Sequence, residues 1–148
     1  MLTLPFIFYF SSKIIGRKSL NNLMLYSELT KLIIGCCIEV HKRLGNGFQE
    51  VIYQRALQIE MDLAGLNFER ELEMPVYYRN TEIATRRVDF LVEGKVIVEL
   101  KALLELEGAH LAQAINYLQV YKIEVGLLVN FGATSLEFKR VFNNKIEN

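Results

Sequence analysis

The sequence predicts an α/β domain in which a mixed sheet is flanked by helices, with the element order α-α-β-β-β-α-β-β. One observation behind this fold class is the run RRVDFLVEGKVIVELK at residues 86–101, whose alternating apolar residues predict two strands around a turn. Another is a helical pattern at residues 107–121, followed by a continuous apolar strand at residues 124–130. Together they predict a strand-helix-strand unit with a right-handed crossover and a parallel pair of strands.

The first two elements are predicted to be helices that end at glycines. Apolar residues recur at helical spacing from Ser27, a residue type that favours helix N-caps, to about Arg43. Gly45-Asn46-Gly47 ends this helix. A second helix is predicted over residues 48–63 and is ended by Gly65.

The other segments are predicted strands. Residues 67–79 have an extended pattern, and Pro75 favours a position at the edge of the sheet. A turn at Asn80-Thr81 leads into residues 82–85, which continue as strand into the run described above. Residues 136–142 alternate between apolar and polar side chains and predict the last strand.

The hydrophobic pattern of residues 86–101 favours one register of the two strands. This register pairs Val92 with Val96 across a three-residue loop, so that one face is wholly apolar. A register shifted by one residue would turn charged side chains toward the core. The expected pairs are Phe90 with Val98, Val88 with Leu100, and Asp89 with Glu99.

In this register, two carboxylates and an ammonium group, those of Asp89, Glu99 and Lys101, share the polar face. Carboxylates on neighbouring strands repel each other unless a cation lies between them, and hard oxygen ligands favour Mg²⁺ or Mn²⁺. A lysine nearby can orient water or stabilise charge that develops on a phosphate. These residues therefore suggest phosphodiester hydrolysis. The alternative is a half-exposed hairpin with ordinary surface charges, because short patterns recur by chance.

Composition limits the class of protein. The 148 residues suit one domain, and 51% hydrophobic with 23% charged residues exclude a disordered chain. The formal net charge of zero differs from that of strongly basic nucleic-acid binders, so contact with DNA requires a local patch. A solvated surface of mixed charge explains the available cations equally well. These cations are Arg86, Arg87, Lys122, Lys139 and Arg140.

The cysteines and the N-terminus bear on location. Cys36 and Cys37 are neighbours in a helical pattern, which disfavours a disulfide and predicts buried thiols in a reduced, cytoplasmic compartment. Residues 2–10 are apolar but too short to span a bilayer, and no positive residues precede them, so we expect no integral membrane segment. We expect residues 1–23 to be an extension and residues 24–148 to be the folded domain, with Met24 as an alternative start.

The chain resembles the GxxExxY family within the PD-(D/E)xK nuclease superfamily. The resemblance covers roughly residues 24–143 and implies a restriction-endonuclease-like core. Position 88 is Val instead of the Pro in the superfamily's name, a mild departure because that Pro is not a ligand. The similar segments are GFQEVIY (residues 47–53), EVHKRLGNG (39–47), VELKA (98–102) and VGLLVNFG (125–132).

The resemblance implies a metal-dependent nuclease that acts on DNA, with RNA also compatible. The superfamily's acid–acid–lysine core corresponds to Asp89, Glu99 and Lys101. It implies that Mg²⁺ or Mn²⁺ is bound by Asp89, Glu99 and the backbone carbonyl of Leu100. Glu50, early on the second helix, is expected to complete this metal shell or to hold a water molecule, and to belong to the catalytic set.

A second group of residues is implied to contact the substrate. Gln113 and Tyr117 have the Q-x3-Y spacing of RecB-like nucleases, and one helical turn separates them, so they line the same edge. Glu50 and Tyr53 are three residues apart and are expected to share a helix face. An amphipathic helix surface with a half-buried tyrosine is the alternative. The expected substrate contacts are Gln113, Tyr117, His110, Tyr53 and Arg87.

Two other classes of function are compatible with the sequence. One is a nuclease-fold protein that binds nucleic acid or protein without cleavage, because fold does not determine function. The other is a membrane-peripheral protein that uses residues 2–10. A homodimer is also compatible with the sequence, and the choices between exonuclease and endonuclease and between substrate sequences stay open.

Overall fold

The computed structural model describes residues 26–145, and the expected N-terminal extension lies outside that range. The described elements follow the predicted order, which confirms the α/β fold class. The elements are α1 Ser27–Leu44, α2 Glu50–Leu63, β1 Phe68–Tyr78, β2 Thr81–Val92, β3 Val96–Lys101, α3 Gly108–Tyr121, β4 Val125–Asn130 and β5 Glu137–Phe142.

The sheet has five strands in the order β1-β2-β3-β4-β5. The β3 and β4 strands are parallel, as the strand-helix-strand pattern predicted, and the other neighbouring pairs are antiparallel. The β1 strand, which contains Pro75, lies at an edge of the sheet, where a residue without a backbone N–H is tolerated. Every residue of β4 is buried, which explains its continuous apolar run.

Two apolar clusters, one on each face of the sheet, form the core. One cluster joins α1 and α2 to the sheet through residues such as Val40, Leu57 and Phe90. The other joins α3 to the sheet through residues such as Leu118 and Ile97. The protein therefore has three layers, and the central strands are covered on both faces.

Both helices before the sheet begin differently from the prediction. Tyr26, and not Ser27, is the N-cap of α1, with a φ of 52°, and its side chain accepts no capping hydrogen bond from the first turn. The α2 helix begins at Glu50 instead of Phe48, because the Phe48 backbone N–H donates to the Tyr53 hydroxyl (3.1 Å) and holds the chain in a turn.

The β2–β3 register is confirmed near the turn and wrong beyond it. Val92 pairs with Val96 and Phe90 pairs with Val98, but the pairing ends there, so Val88 does not face Leu100. Val88 packs in the α3-side cluster, whereas Phe90 packs in the α1/α2-side cluster. The expectation of one apolar and one polar face is therefore wrong, because β2 changes sides between Val88 and Phe90 and both faces of the sheet bury apolar side chains.

The cysteines are as expected: Cys36 and Cys37 are both buried and free. Burial is the main cause of the raised pKa of each thiol, which favours the neutral form at physiological pH. Within residues 26–145, none of the helices combines the length and the apolar character needed to cross a bilayer.

The loop that follows β3 is fixed by Asn130, which is fully buried. Its side-chain oxygen accepts hydrogen bonds from the backbone N–H of Leu103 (2.8 Å) and Gly132 (3.1 Å). Its amide also donates to the Leu103 carbonyl (2.9 Å). The two chain segments approach so closely that a Cβ on Gly132 would lie 2.3 Å from the Leu103 nitrogen.

We expect Gly132→Ala to lower the free energy of unfolding by about 3 kcal/mol or more, because backbone atoms would have to move. Gly35→Ala is the matched control: a Cβ there meets nothing within 4 Å, and alanine favours the α1 helix by about 0.5–1 kcal/mol. Urea denaturation measures both changes. Equal stabilities for the two variants would contradict the close approach at Gly132.

Candidate active site

The two predicted carboxylates meet where β2 and β3 separate. The Asp89 backbone N–H donates to Glu99 Oε1 (3.1 Å), and the Leu100 backbone N–H donates to Asp89 Oδ2 (2.8 Å). Side-chain oxygens thus accept from N–H groups that have no partner in the β2–β3 ladder. The structure therefore brings Asp89 and Glu99 together, as the sequence predicted.

Glu99 is the more perturbed of these two carboxyls. Its residue is only 7% exposed, and burial, followed by the negative charge of Asp89, raises its pKa to about 8. Burial also raises the pKa of Asp89, although hydrogen bonds from Leu100 and Gln54 favour its ionised form. The site therefore has a deficit of positive charge, which Lys101 only partly offsets.

Gln54 is a site residue that the sequence analysis missed. It is buried on α2, and its side-chain amide donates to Asp89 Oδ1 (2.9 Å). Helical spacing could have identified it, because Gln54 follows Glu50 by one turn and lies on the same side of the helix. Gln54 and the Leu100 backbone together fix the position of the Asp89 carboxylate.

Lys101 and the α3 helix form the opposite wall of the site. The Lys101 ammonium donates to Gln113 Oε1 (3.1 Å), which connects β3 to the middle of α3. Tyr117 lies one turn further along α3, and burial together with the charge of Glu99 raises its pKa. Lys101, Gln113 and Tyr117 thus lie together on the α3 side of the carboxylates.

Glu50 borders a cleft of about 420 Å³ that Lys101 and His110 also line. It is the first residue of α2 and is exposed. Partial desolvation and the charge of Asp89 raise its pKa, whereas Lys101 lowers it. Glu50 therefore adds a third carboxyl group at the open side of the site.

Tyr53 does not have the expected position on the surface. It is fully buried, donates to the Gly45 carbonyl (2.6 Å) and stacks on Phe131 with ring centroids 4.7 Å apart. The expectation that Tyr53 contacts substrate is wrong, because its ring packs against Phe131 in the core and has no exposed surface. Tyr53 instead fixes the turn that precedes α2.

The other two expected substrate contacts have partners within the protein. His110 caps α3: its Nδ1 accepts from the Glu107 backbone N–H (3.0 Å), and its ring also borders the 420 Å³ cleft. Arg87 donates two hydrogen bonds to Glu73 Oε1, at 2.6 and 3.2 Å, across the exposed β1–β2 pair. His110 therefore lies beside the site, whereas the guanidinium of Arg87 is directed to its neighbour on β1.

The donor set is compatible with a hard cation that retains water ligands. Within residues 26–145, no three His, Cys, Asp or Glu side chains converge enough to bind a metal ion by themselves. Asp89 and Glu99 are adjacent, and the Leu100 carbonyl projects to the same side of β3 as the N–H that donates to Asp89. Two carboxylates with water and phosphate oxygens are a usual ligand set for Mg²⁺.

Comparison with known proteins supports this fold. A model of the PD-(D/E)XK nuclease superfamily matches residues 27–141. Among solved structures, the crystal structure of SSO0001 is similar, with a TM-score of 0.54 and 18% identity over 83% of this chain, which spans 62% of that structure's chain. At this identity the likeness shows the restriction-endonuclease-like fold alone. No curated protein matches the chain significantly.

We expect the metal-free protein to lose stability as the pH rises from about 4.5 to about 8, because the unfolded chain releases the Glu99 proton first. The contribution of protonated Glu99 to the free energy of unfolding is fully present below the ordinary pKa of glutamate. Glu99→Gln should remove this pH dependence. At pH 8 it should raise the free energy of unfolding by roughly 2–4 kcal/mol relative to wild type. Thermal unfolding in chelator measures it, with the exposed Glu105→Gln as control. Parallel profiles for wild type and Glu99→Gln would contradict the raised pKa.

We expect Gln54→Leu to lower the free energy of unfolding by about 1–3 kcal/mol, because Asp89 Oδ1 loses a buried donor. The matched control is Gln58→Leu, one turn later on α2, where the side chain accepts an exposed hydrogen bond from Arg70. That change should stay within about 0.5 kcal/mol. Chemical denaturation at neutral pH measures both, and equal losses would contradict the role of Gln54.

Proposed function

Because the chain belongs to the PD-(D/E)XK nuclease superfamily, we propose that it is a metal-dependent nuclease that hydrolyses phosphodiester bonds in DNA. The observation that supports this most is the adjacent pair Asp89 and Glu99, buried beside the ammonium of Lys101. We also propose that the chain belongs to the GxxExxY group of the superfamily, on the motif at residues 47–53. Buried reduced cysteines support a cytoplasmic location.

In this proposal, Mg²⁺ or Mn²⁺ is held by Asp89, Glu99 and the backbone carbonyl of Leu100. A cation of this kind neutralises charge on a phosphate and promotes ionisation of water. Gln54 and the Leu100 N–H hold Asp89 in place, and the Asp89 N–H holds Glu99. Because these donors are already in position, little reorganisation of the protein is required when the cation and substrate arrive.

The Lys101 ammonium stabilises the negative charge that develops on the phosphoryl oxygens. Gln113 orients Lys101 by accepting its hydrogen bond at 3.1 Å. Glu50, at the open side of the cleft, accepts a hydrogen bond from the attacking water and orients it. In this proposal Tyr117 and His110 contact the substrate strand beside the cleaved bond, supported by the charge effect of Glu99 on Tyr117 and by the place of His110 in the cleft wall.

The proposal is tested by incubating the full chain with end-labelled single-stranded and double-stranded DNA and RNA, with Mg²⁺, with Mn²⁺ or with chelator. We expect cleavage of DNA only when a metal is present. Asp89→Asn and Glu99→Gln should each abolish cleavage, because ligands of the cation are lost. Lys101→Ala should reduce turnover by about 10²–10³-fold while metal binding persists, because it removes transition-state stabilisation. Glu105→Gln, on the exposed loop before α3, is the control and should retain full activity.

Binding of metal is measured separately, by the rise in melting temperature that Mg²⁺ produces. Cleavage by folded Glu99→Gln protein at the wild-type rate would contradict the assignment of the site. No cleavage together with no Mg²⁺-induced rise would favour a protein that binds nucleic acid or protein without cleaving it. A rise that Asp89→Asn removes would support the metal site even if the tested substrates are not cleaved.

A further inference from the structure

The β1–β2 hairpin extends beyond the rest of the sheet. The β2 strand pairs with β3 only over Phe90–Val92, whereas β1 and β2 continue to pair as far as Tyr78 and Thr81. A turn at Arg79 and Asn80, both with positive φ, closes this hairpin. The part of the hairpin from the Met74–Arg86 pair to the turn, residues 74–86, is therefore an arm that projects away from the candidate active site.

The base of this arm is attached to α3 beside the site. The Tyr121 hydroxyl lies 2.7 Å from the backbone oxygens of both Leu72 and Arg86, one on each strand. Leu72 and Met74 also pack against the α3-side cluster. The base of the arm thus has a defined position relative to Tyr117 and the carboxylates.

The two sides of the arm differ in their relation to the site. Met74 packs on the α3 side, and its partner Arg86 shares that side, where its charge partly opposes the rise in the pKa of Tyr117. Because side chains alternate along β1, Tyr78 lies on the same side as Met74, and Tyr77 lies on the opposite side. The irregularity between Val76 and Tyr77 adds its extra residue to β2 and leaves this alternation on β1 intact.

Tyr78 and Tyr77 are similarly exposed, at 64% and 61%, so burial does not distinguish them. The two tyrosines differ in the side of the arm on which they lie. The α3 side continues from Glu99 past Tyr117 and Arg86 to Tyr78, whereas the opposite side contains the Glu73–Arg87 ion pair. An exposed aromatic ring in line with an arginine and a catalytic cleft matches the way proteins bind single-stranded nucleic acid.

We propose that the α3 side of the arm binds a single-stranded segment of the substrate next to the cleaved bond, with Arg86 on a phosphate and Tyr78 stacked on a base. This inference rests on the proposed function and specifies its substrate. Tyr78 lies four residues beyond Met74, the partner of Arg86, which is about 13 Å along the strand. Such a distance corresponds to about four nucleotides at helical spacing.

Binding without cleavage tests this inference. Fluorescence anisotropy in chelator measures the affinity of the full chain for labelled single-stranded DNA of about 16 nucleotides and for the same sequence as duplex. We expect tighter binding of the single strand. Tyr78→Ala should weaken it about tenfold because stacking is lost, Tyr78→Phe should restore it, and Tyr77→Ala should leave it unchanged. Circular dichroism melts confirm that each variant is folded.

The arginine pair provides a second, independent readout. Arg86→Gln should lower the slope of log affinity against log salt by about 0.7, as expected when one phosphate contact to a single strand is removed. Arg87→Gln should not change the slope, because Arg87 pairs with Glu73 on the other side. The two arginines are adjacent in sequence and both exposed, and they differ in the side of the arm and in the ion pair that Arg87 makes with Glu73.

The outcomes separate this inference from the proposed function. Equal effects of Tyr78→Ala and Tyr77→Ala, or no effect of either, would overturn the inference even if the protein cleaves DNA. A tyrosine variant that changes the molecular mass in solution but not the affinity for DNA would assign the arm to a protein contact and also overturn it. Selective loss with Tyr78→Ala, in a protein that neither cleaves DNA nor gains melting temperature with Mg²⁺, would support binding by the arm and reject the nuclease proposal.

Discussion

The structure depends on the way two backbone N–H groups are satisfied where β2 and β3 separate. Beyond the Phe90–Val98 pair, the Asp89 and Leu100 N–H groups have no ladder partner. The carboxyls of Glu99 and Asp89 accept them, at 3.1 and 2.8 Å. Unpaired backbone groups at a buried position are costly, so these carboxyls are required by the fold as well as by the proposed chemistry. The same bonds determine where the site lies.

This arrangement satisfies two backbone N–H groups, but it also brings two carboxyl groups close together. Burial raises the pKa of both carboxyls, the negative charge of Asp89 raises that of Glu99 further, and the ammonium of Lys101 offsets only part of these effects. A divalent cation would offset this repulsion, which is the electrostatic reason for proposing a metal at this site. The surrounding elements maintain the geometry: α2 provides Gln54 from one face of the sheet, and α3 provides Gln113 from the other.

Residues next to each other in sequence have different roles in this protein because periodicity separates them. On α2, Tyr53 enters the core and fixes the preceding turn, whereas Gln54 reaches Asp89. On β2, Arg87 pairs with Glu73, whereas Arg86 lies on the α3 side. In each case, moving by one residue along the helix or strand turns the side chain to a different side and decides whether it is available to the site. The sequence motif alone does not show which side chain faces the site.

Local patterns were sufficient to predict much of this protein. The element order, the Val92–Val96 register at the hairpin turn, the parallel strands and the grouping of Asp89, Glu99 and Lys101 follow from hydrophobic periodicity and turn residues, which depend on neighbours in sequence. The end of the β2–β3 pairing, the burial of Tyr53 and the contact of Gln54 with Asp89 depend on how helices and strands distant in sequence pack together. Those features became apparent only in the folded structure, because strand twist and inter-element contacts have no local signature.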